Sequence, residues 1–307
     1  MIAFVFPGQG AQRRGMGGAL FDAVPEYTSL EPRVDALLGY SLRALCRDDP
    51  GERLRQTQYT QPALFTVNAL HALKSAAAGV RPQYLAGHSL GEYNALFTAG
   101  AFDFLTGLSL VKKRGELMAR AANGAMAAVV GLRTELVTQI CTDRGFAELD
   151  VANFNSPSQT VLSGPADSIK RAAAVFESAG AALYAPLPVS GAFHSRYMAD
   201  AAAEFANFLE PLSIQAPRIP VMANASGEPY PTDQGGRGVK ALLVRQISQP
   251  VQWMRCIRYL LDRGVTQFTE QGPGNVLSRL IEQTRSDLSA GTAASPGSCT
   301  ARSLSTY

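Results

Sequence analysis

At 307 residues the chain is long enough for two domains of about 150 residues or one larger α/β domain, and it can bury a core without disulfides or a structural metal. With 46% hydrophobic and 17% charged residues and a net charge of +3, its composition excludes a disordered chain or a nucleic-acid coat. Its four cysteines, Cys46, Cys141, Cys256 and Cys299, are scattered with no CxxC spacing, which argues against a zinc knuckle, a redox pair or a secreted disulfide scaffold and makes the cytoplasm the expected compartment.

Ile2 to Phe6 is an apolar run that predicts a strand entering the glycine-rich loop Pro7-Gly8-Gln9-Gly10, and it is too short for a signal sequence. Thr60-Gln61-Pro62 predicts the first turn of a helix that runs to about Ala78 and stops at Gly79. A second strand, Gln83 to Ala86, leads into Gly87-His88-Ser89-Leu90-Gly91. Two helices follow, Glu92 to Thr98 and Phe104 to Ala122. The least charged window, Tyr84 to Leu110, still carries His88, Glu92, Asn94 and Asp103, so no membrane span is expected. Alternating strands and helices predict an α/β architecture with parallel pairing.

From Met126 to Pro188 the order changes to βαββαβ: strands at 127–132, 149–153, 159–163 and 182–186, helices at 134–144 and 165–179. That order predicts a small ferredoxin-like subdomain over residues 125–189, inserted into a catalytic domain formed by 1–124 and 190–285, with strands resuming at Ile219 to Ala223 and Thr266 to Glu270. The small, polar residues 286–307 are expected to form a flexible tail.

Gly87-His88-Ser89-Leu90-Gly91 is a GxSxG sequence between a predicted strand and a predicted helix, the context of a nucleophile elbow, and its bland alternative is an ordinary tight turn. A serine hydroxyl needs a base, and the chain has three histidines. His88 adjoins the serine and should leave the turn in another direction, while His71 lies inside a helix. His194, in the loop Val189-Ser190-Gly191-Ala192-Phe193-His194-Ser195, remains as the candidate base. The amide of Leu90 is the elbow's built-in oxyanion donor, and the Gly8-Gln9-Gly10 backbone supplies either a second donor or only a tight turn. Arg114 falls among Leu110, Val111, Leu117 and Met118, on the apolar side of its helix. Two readings stand for it: a structural ion pair, or a bidentate clamp on a substrate carboxylate.

Together Phe6-Pro7-Gly8-Gln9-Gly10, Thr60-Gln61-Pro62-Ala63-Leu64, Gly87-His88-Ser89-Leu90-Gly91-Glu92, Arg114, Gly191-Ala192-Phe193-His194-Ser195, Pro250-Val251-Gln252-Trp253 and Gly272-Pro273-Gly274 resemble the malonyl-CoA:acyl carrier protein transacylases. The resemblance covers about residues 1 to 283 and leaves the tail unexplained. It implies an α/β-hydrolase-like core with a parallel sheet plus the inserted ferredoxin-like subdomain. It implies Ser89 as nucleophile, His194 as base and then acid, and the amides of Gln9 and Leu90 as the oxyanion hole. By the same resemblance Arg114 would bind the malonyl carboxylate, the carbonyl of Gln246 would orient the histidine, and Phe193 would favour malonyl over methylmalonyl units.

The activity so implied is malonyl transfer from malonyl-CoA, through a seryl ester, to the phosphopantetheine thiol of an acyl carrier protein of fatty-acid or polyketide synthesis. No cofactor, metal, nucleic acid or membrane partner is expected. The rivals are an acyl hydrolase or editing thioesterase on the same dyad, and a non-catalytic docking module for carrier proteins. An ordinary esterase places its histidine near the chain end, whereas here more than a third of the chain follows His194.

Overall fold

A computed structural model describes residues 1–121, 123–189, 191–232 and 236–293. The elements run β1 (Ile2–Phe6), α1 (Leu20–Ala23), α2 (Pro25–Leu38), α3 (Leu42–Asp48), α4 (Thr57–Ala77), β2 (Tyr84–Gly87), α5 (Gly91–Thr98), α6 (Phe104–Arg120) and β3 (Gly124–Val130). They continue with α7 (Thr134–Asp143), β4 (Asp150–Ser156), β5 (Gln159–Pro165), α8 (Ala166–Ser178), β6 (Leu183–Pro186), α9 (Ala199–Leu209) and β7 (Val221–Met222). The last are α10 (Gly236–Ser248), α11 (Trp253–Asp262), β8 (Gln267–Glu270) and α12 (Val276–Ala293).

Four strands form a parallel sheet in the order β7-β2-β1-β8. Its central strand β1 is apolar on both faces because both faces are covered by helices, as parallel sheets require. Phe4 and Phe6 enter one hydrophobic cluster, while Ala3 and Val5 enter a second with Trp253, Ile257 and Leu280. Phe6 pairs with Gly87, so β1 and β2 end side by side and their following loops open on one edge of the sheet. In open parallel sheets that carboxyl edge is where ligands bind.

The second sheet is antiparallel, in the order β4-β5-β3-β6. With α7 and α8 in its crossovers, it has the strand order of a ferredoxin-like unit. It is stitched to the other sheet's layer by Phe154 N–H to the Val251 carbonyl (2.9 Å) and Val251 N–H to the Ala152 carbonyl (2.8 Å).

Three segments differ from the sequence reading. Helix α4 starts at Thr57, so Pro62 sits inside it rather than in its first turn; Thr60 Oγ1 holds the added turn by donating to the carbonyls of Leu54 (2.7 Å) and Gln56 (3.0 Å). Helix α6 ends at Arg120, and Ala122, read as its last residue, lies outside the described residues. The expected tail is helical as far as Ala293: α12 buries Leu277, Leu280, Ile281 and Thr284, and Asp287 pairs with Arg258 at 3.0 Å. Residues 294–307 lie outside the described residues.

Glycines set the closest approach in the core. A Cβ on Gly87 would lie 1.9 Å from the Gly91 carbonyl carbon, and one on Gly91 would lie 2.0 Å from the Phe6 carbonyl oxygen. Strand β2 and helix α5 therefore meet backbone to backbone, which only glycine permits. Gly91→Ala is expected to lower stability by about 3 kcal/mol, the upper range for overpacking a core. Chemical unfolding measures this, and an unchanged midpoint would contradict the close approach.

Candidate active site

Ser89 sits between β2 and α5 with φ +51, in the left-handed region that a non-glycine residue adopts only when its surroundings enforce it. Two hydrogen bonds enforce it: Ser89 N–H donates to Asn224 Oδ1 (2.7 Å), and the Ser89 carbonyl accepts from Gln246 Nε2 (2.7 Å). Asn224 Nδ2 also donates to the Gly87 carbonyl (2.7 Å), so one side chain spans the turn. The strained turn lifts Ser89 Oγ out of the sheet edge toward a cavity of about 250 Å³, lined by Gln9, Ser89, Leu90, Arg114, Phe193 and His194 among others.

His194 meets the serine from the far side of the cavity. Its backbone is also left-handed, at φ +57, and its ring is buried. Nδ1–H donates to the Gln246 carbonyl at 2.7 Å. A carbonyl can only accept, so the proton is on Nδ1 and the Nε2 lone pair faces Ser89 Oγ at 2.8 Å. Burial above all, then the nearby Arg114 cation, pushes the imidazole down to about 3, which keeps it neutral in the free protein. The other histidines stand elsewhere: His88 bonds Asn155 Oδ1 at 2.8 Å and packs against Trp253, and His71 lies partly buried on α4.

Arg114 is 1% exposed, and among the described residues it makes no ion pair. Its head group is held by neutral oxygens: Nη1 donates to Gln61 Oε1 (2.9 Å), and Nη2 to Gln246 Oε1 (2.9 Å) and to Ser89 Oγ (3.0 Å). Among the described residues its Nε makes no hydrogen bond, and the guanidinium carbon lies 5.6 Å from the centre of the Tyr93 ring. Helix α6 can bring it there because Gly115 and Gly107 allow α4 and α6 to approach closely: a Cβ on Gly107 would lie 2.5 Å from Phe65 Cζ. Of the two sequence readings, structural ion pairing therefore has no partner among the described residues. A buried guanidinium with no carboxylate in direct contact is costly to desolvate, and Glu92 reaches it only through the Gln246 amide.

Two backbone amides flank Ser89. Leu90 follows it at the entry to α5, and Gln9 lies in the loop after β1, whose Gly8 packs so tightly that a Cβ there would lie 2.4 Å from the His88 carbonyl oxygen. Among the described residues neither amide donates to another protein group. Phe193 is 5% exposed and lines the same cavity, its ring folded against Gly191, where a Cβ would lie 2.4 Å from Phe193 Cε1. Among the described residues no group of three or more His, Cys, Asp or Glu converges on a metal position.

Sequence reasoning did not single out Gln61, Asn224, Tyr230, the side chain of Gln246 or the role of Glu92. Gln61 and Glu92 stood inside quoted motifs, so a signal existed. Asn224 and Tyr230 had none, because only folding brings residues 224 and 230 behind a turn at 89. Glu92 is fully buried, and burial raises it to about 7 against the opposing hydrogen bonds of Tyr230, Gln246 and Asn224.

Comparison with known proteins gives the family. The acyl transferase domain family matches residues 3–300. The polyketide biosynthesis malonyl CoA-acyl carrier protein transacylase BaeC of Bacillus velezensis is 49% identical over 292 residues, covering 94% of this chain and 99% of the relative. The crystal structure of a malonyl CoA-acyl carrier protein transacylase from Burkholderia pseudomallei superposes with a TM-score of 0.88 at 47% identity, over 93% of this chain and 98% of that one. A malonyl-transacylase solved in complex with a type II polyketide synthase acyl-carrier protein gives a TM-score of 0.86 at 35% identity, over 92% of each chain. With a serine elbow, a neutral histidine and an unpaired buried arginine around one cavity, and with relatives matched along almost their whole length, the chain belongs to the acyl transferase family, among the malonyl CoA-acyl carrier protein transacylases.

Proposed function

We propose that the chain moves a malonyl group from malonyl-CoA to the phosphopantetheine thiol of an acyl carrier protein, through an ester on Ser89. The observation that carries this reading is Arg114: a buried cation in no ion pair among the described residues, 3.0 Å from Ser89 Oγ. A hydrolase clearing varied acyl chains has little use for it, whereas the free carboxylate of malonate matches a planar, two-pronged donor. The printed names of the relatives support the same substrate and the same kind of acceptor.

In the first half-reaction Ser89 Oγ passes its proton to His194 Nε2 and attacks the thioester carbonyl. The carbonyl oxygen takes the negative charge and is stabilised by the amides of Gln9 and Leu90. The C–S bond breaks, and the CoA sulfur leaves with the proton from the imidazolium. In the second half the carrier's thiol gives its proton to His194 and its sulfur attacks the seryl ester. The C–O bond breaks, and Ser89 recovers the proton. Binding of the malonyl carboxylate would also offset the Arg114 charge beside His194, making the imidazole a stronger base when the correct substrate is present. Phe193 would narrow the cavity against a branched acyl group.

Incubation with malonyl-CoA followed by mass spectrometry should show one malonyl adduct on the chain, and none on the Ser89→Ala variant. An adduct persisting in that variant would remove the nucleophile. Arg114→Ala is expected to cut malonyl loading by about a hundredfold, near 3 kcal/mol for losing one partner of a desolvated charge pair, while labelling by an uncharged fluorophosphonate survives. Equal loss of both would count against the clamp.

The charge of Arg114 also sets a pH signature. A cation disfavours the imidazolium, so its removal raises the proton affinity of His194 and moves loss of the neutral base to higher pH. The acid limb of the fluorophosphonate labelling profile should therefore lie higher in Arg114→Ala than in the unsubstituted chain. An unmoved limb would separate the two groups electrostatically.

A further inference from the structure

Behind the elbow lies a fully buried carboxylate that none of the steps above uses. Glu92 is in the first turn of α5. Its Oε2 accepts from Gln246 Nε2 (2.9 Å) and from the Asn224 backbone N–H (3.1 Å), and its Oε1 accepts from the Tyr230 hydroxyl. Gln246 is the joint of the site. Its Nε2 also donates to the Ser89 carbonyl, its Oε1 accepts from Arg114, and its main-chain carbonyl holds His194.

The two ends of the Gln246 amide look alike in shape and differ only in hydrogen-bonding sense. Arg114 can only donate, so it needs the oxygen end. Glu92 Oε2 already takes the Asn224 backbone N–H, which can only donate, so this oxygen is an acceptor and needs the nitrogen end. Arg114 at one end, and Glu92 with the Ser89 carbonyl at the other, therefore lock the amide one way round. Were it reversed, an NH2 group would face the guanidinium and push the clamp off its position.

We infer that Glu92 is a positioning residue for malonyl recognition: through the Gln246 side-chain amide it fixes which atom faces Arg114 and so where the guanidinium points. The inference rests on the malonyl reading above. Ser89 and His194 each keep a hydrogen bond that does not pass through the Gln246 side chain, the first to Asn224 Oδ1 and the second to the main-chain carbonyl of Gln246. Loss of Glu92 should consequently strike carboxylate recognition harder than nucleophile reactivity.

The test compares malonyl-CoA saturation with fluorophosphonate labelling of Ser89, which has no carboxylate to recognise. In Glu92→Leu, the malonyl-CoA KM should rise about tenfold or more while the labelling rate stays within about threefold. Glu92→Gln should restore KM to within about threefold of the unsubstituted chain, because its amide oxygen can accept from Gln246 and Asn224 while its NH2 donates to the Tyr230 hydroxyl. Parallel falls in saturation and labelling would overturn the inference in favour of a merely structural carboxylate, as would a Glu92→Gln variant no better than Glu92→Leu. Should Glu92→Leu not fold, Glu92→Asp decides: a carboxylate one methylene shorter cannot hold Gln246, Asn224 and Tyr230 together, so the same split is expected, and an unchanged KM overturns the inference. Malonyl loading of the unsubstituted chain separates the two levels, since its absence removes the proposed function itself, whereas its presence with an unsplit Glu92→Leu removes only the role of Glu92.

Discussion

A guanidinium taken out of water and left without a counter-ion is the constraint around which this molecule is arranged. Arg114 is held by the side-chain oxygens of Gln61, Gln246 and Ser89, each neutral, so its charge is oriented but not cancelled. Pairing it internally with Glu92 would relieve the cost. The structure instead interposes an amide between the two, and each charge is solvated by dipoles that also shape the elbow. Fixed dipoles of this kind cost nothing to reorganise when a charged ligand arrives.

The backbone geometry follows from the same need for fixed groups. Ser89 and His194 both occupy left-handed conformations, and such strain persists only where neighbouring contacts over-determine it. Around Ser89 those contacts come from residues 224 and 246, one following β7 and the other in α10. A loop and a helix from distant parts of the chain thus converge on one peptide unit. The reactive oxygen is positioned by the sheet and its flanking helices rather than by a free loop.

The two sheets divide the work. The parallel sheet brings the loops after β1 and β2 together, and with them the amides that flank the cavity. The antiparallel sheet contributes Met126, Ala128, Asn153 and Asn155 to the cavity lining. The cavity thus lies between two layers that are bonded to each other at Val251.

Local chemistry in the sequence was enough to determine the alternation of strands and helices, the βαββαβ order of elements, the glycine-bounded turn at Ser89 and which of three histidines stands beside it. Those follow from hydrophobic period, from the φ that a turn demands and from what an imidazole can do, all of which are written within a few neighbouring residues. Where Arg114 points, which end of the Gln246 amide faces it, that Asn224 and Tyr230 stand behind the elbow, and that α12 continues to Ala293 were decided only by tertiary structure. Each depends on which partner arrives from more than twenty positions away, and hydrogen-bond sense, burial and the cost of an unpaired charge have no meaning until that partner is in place.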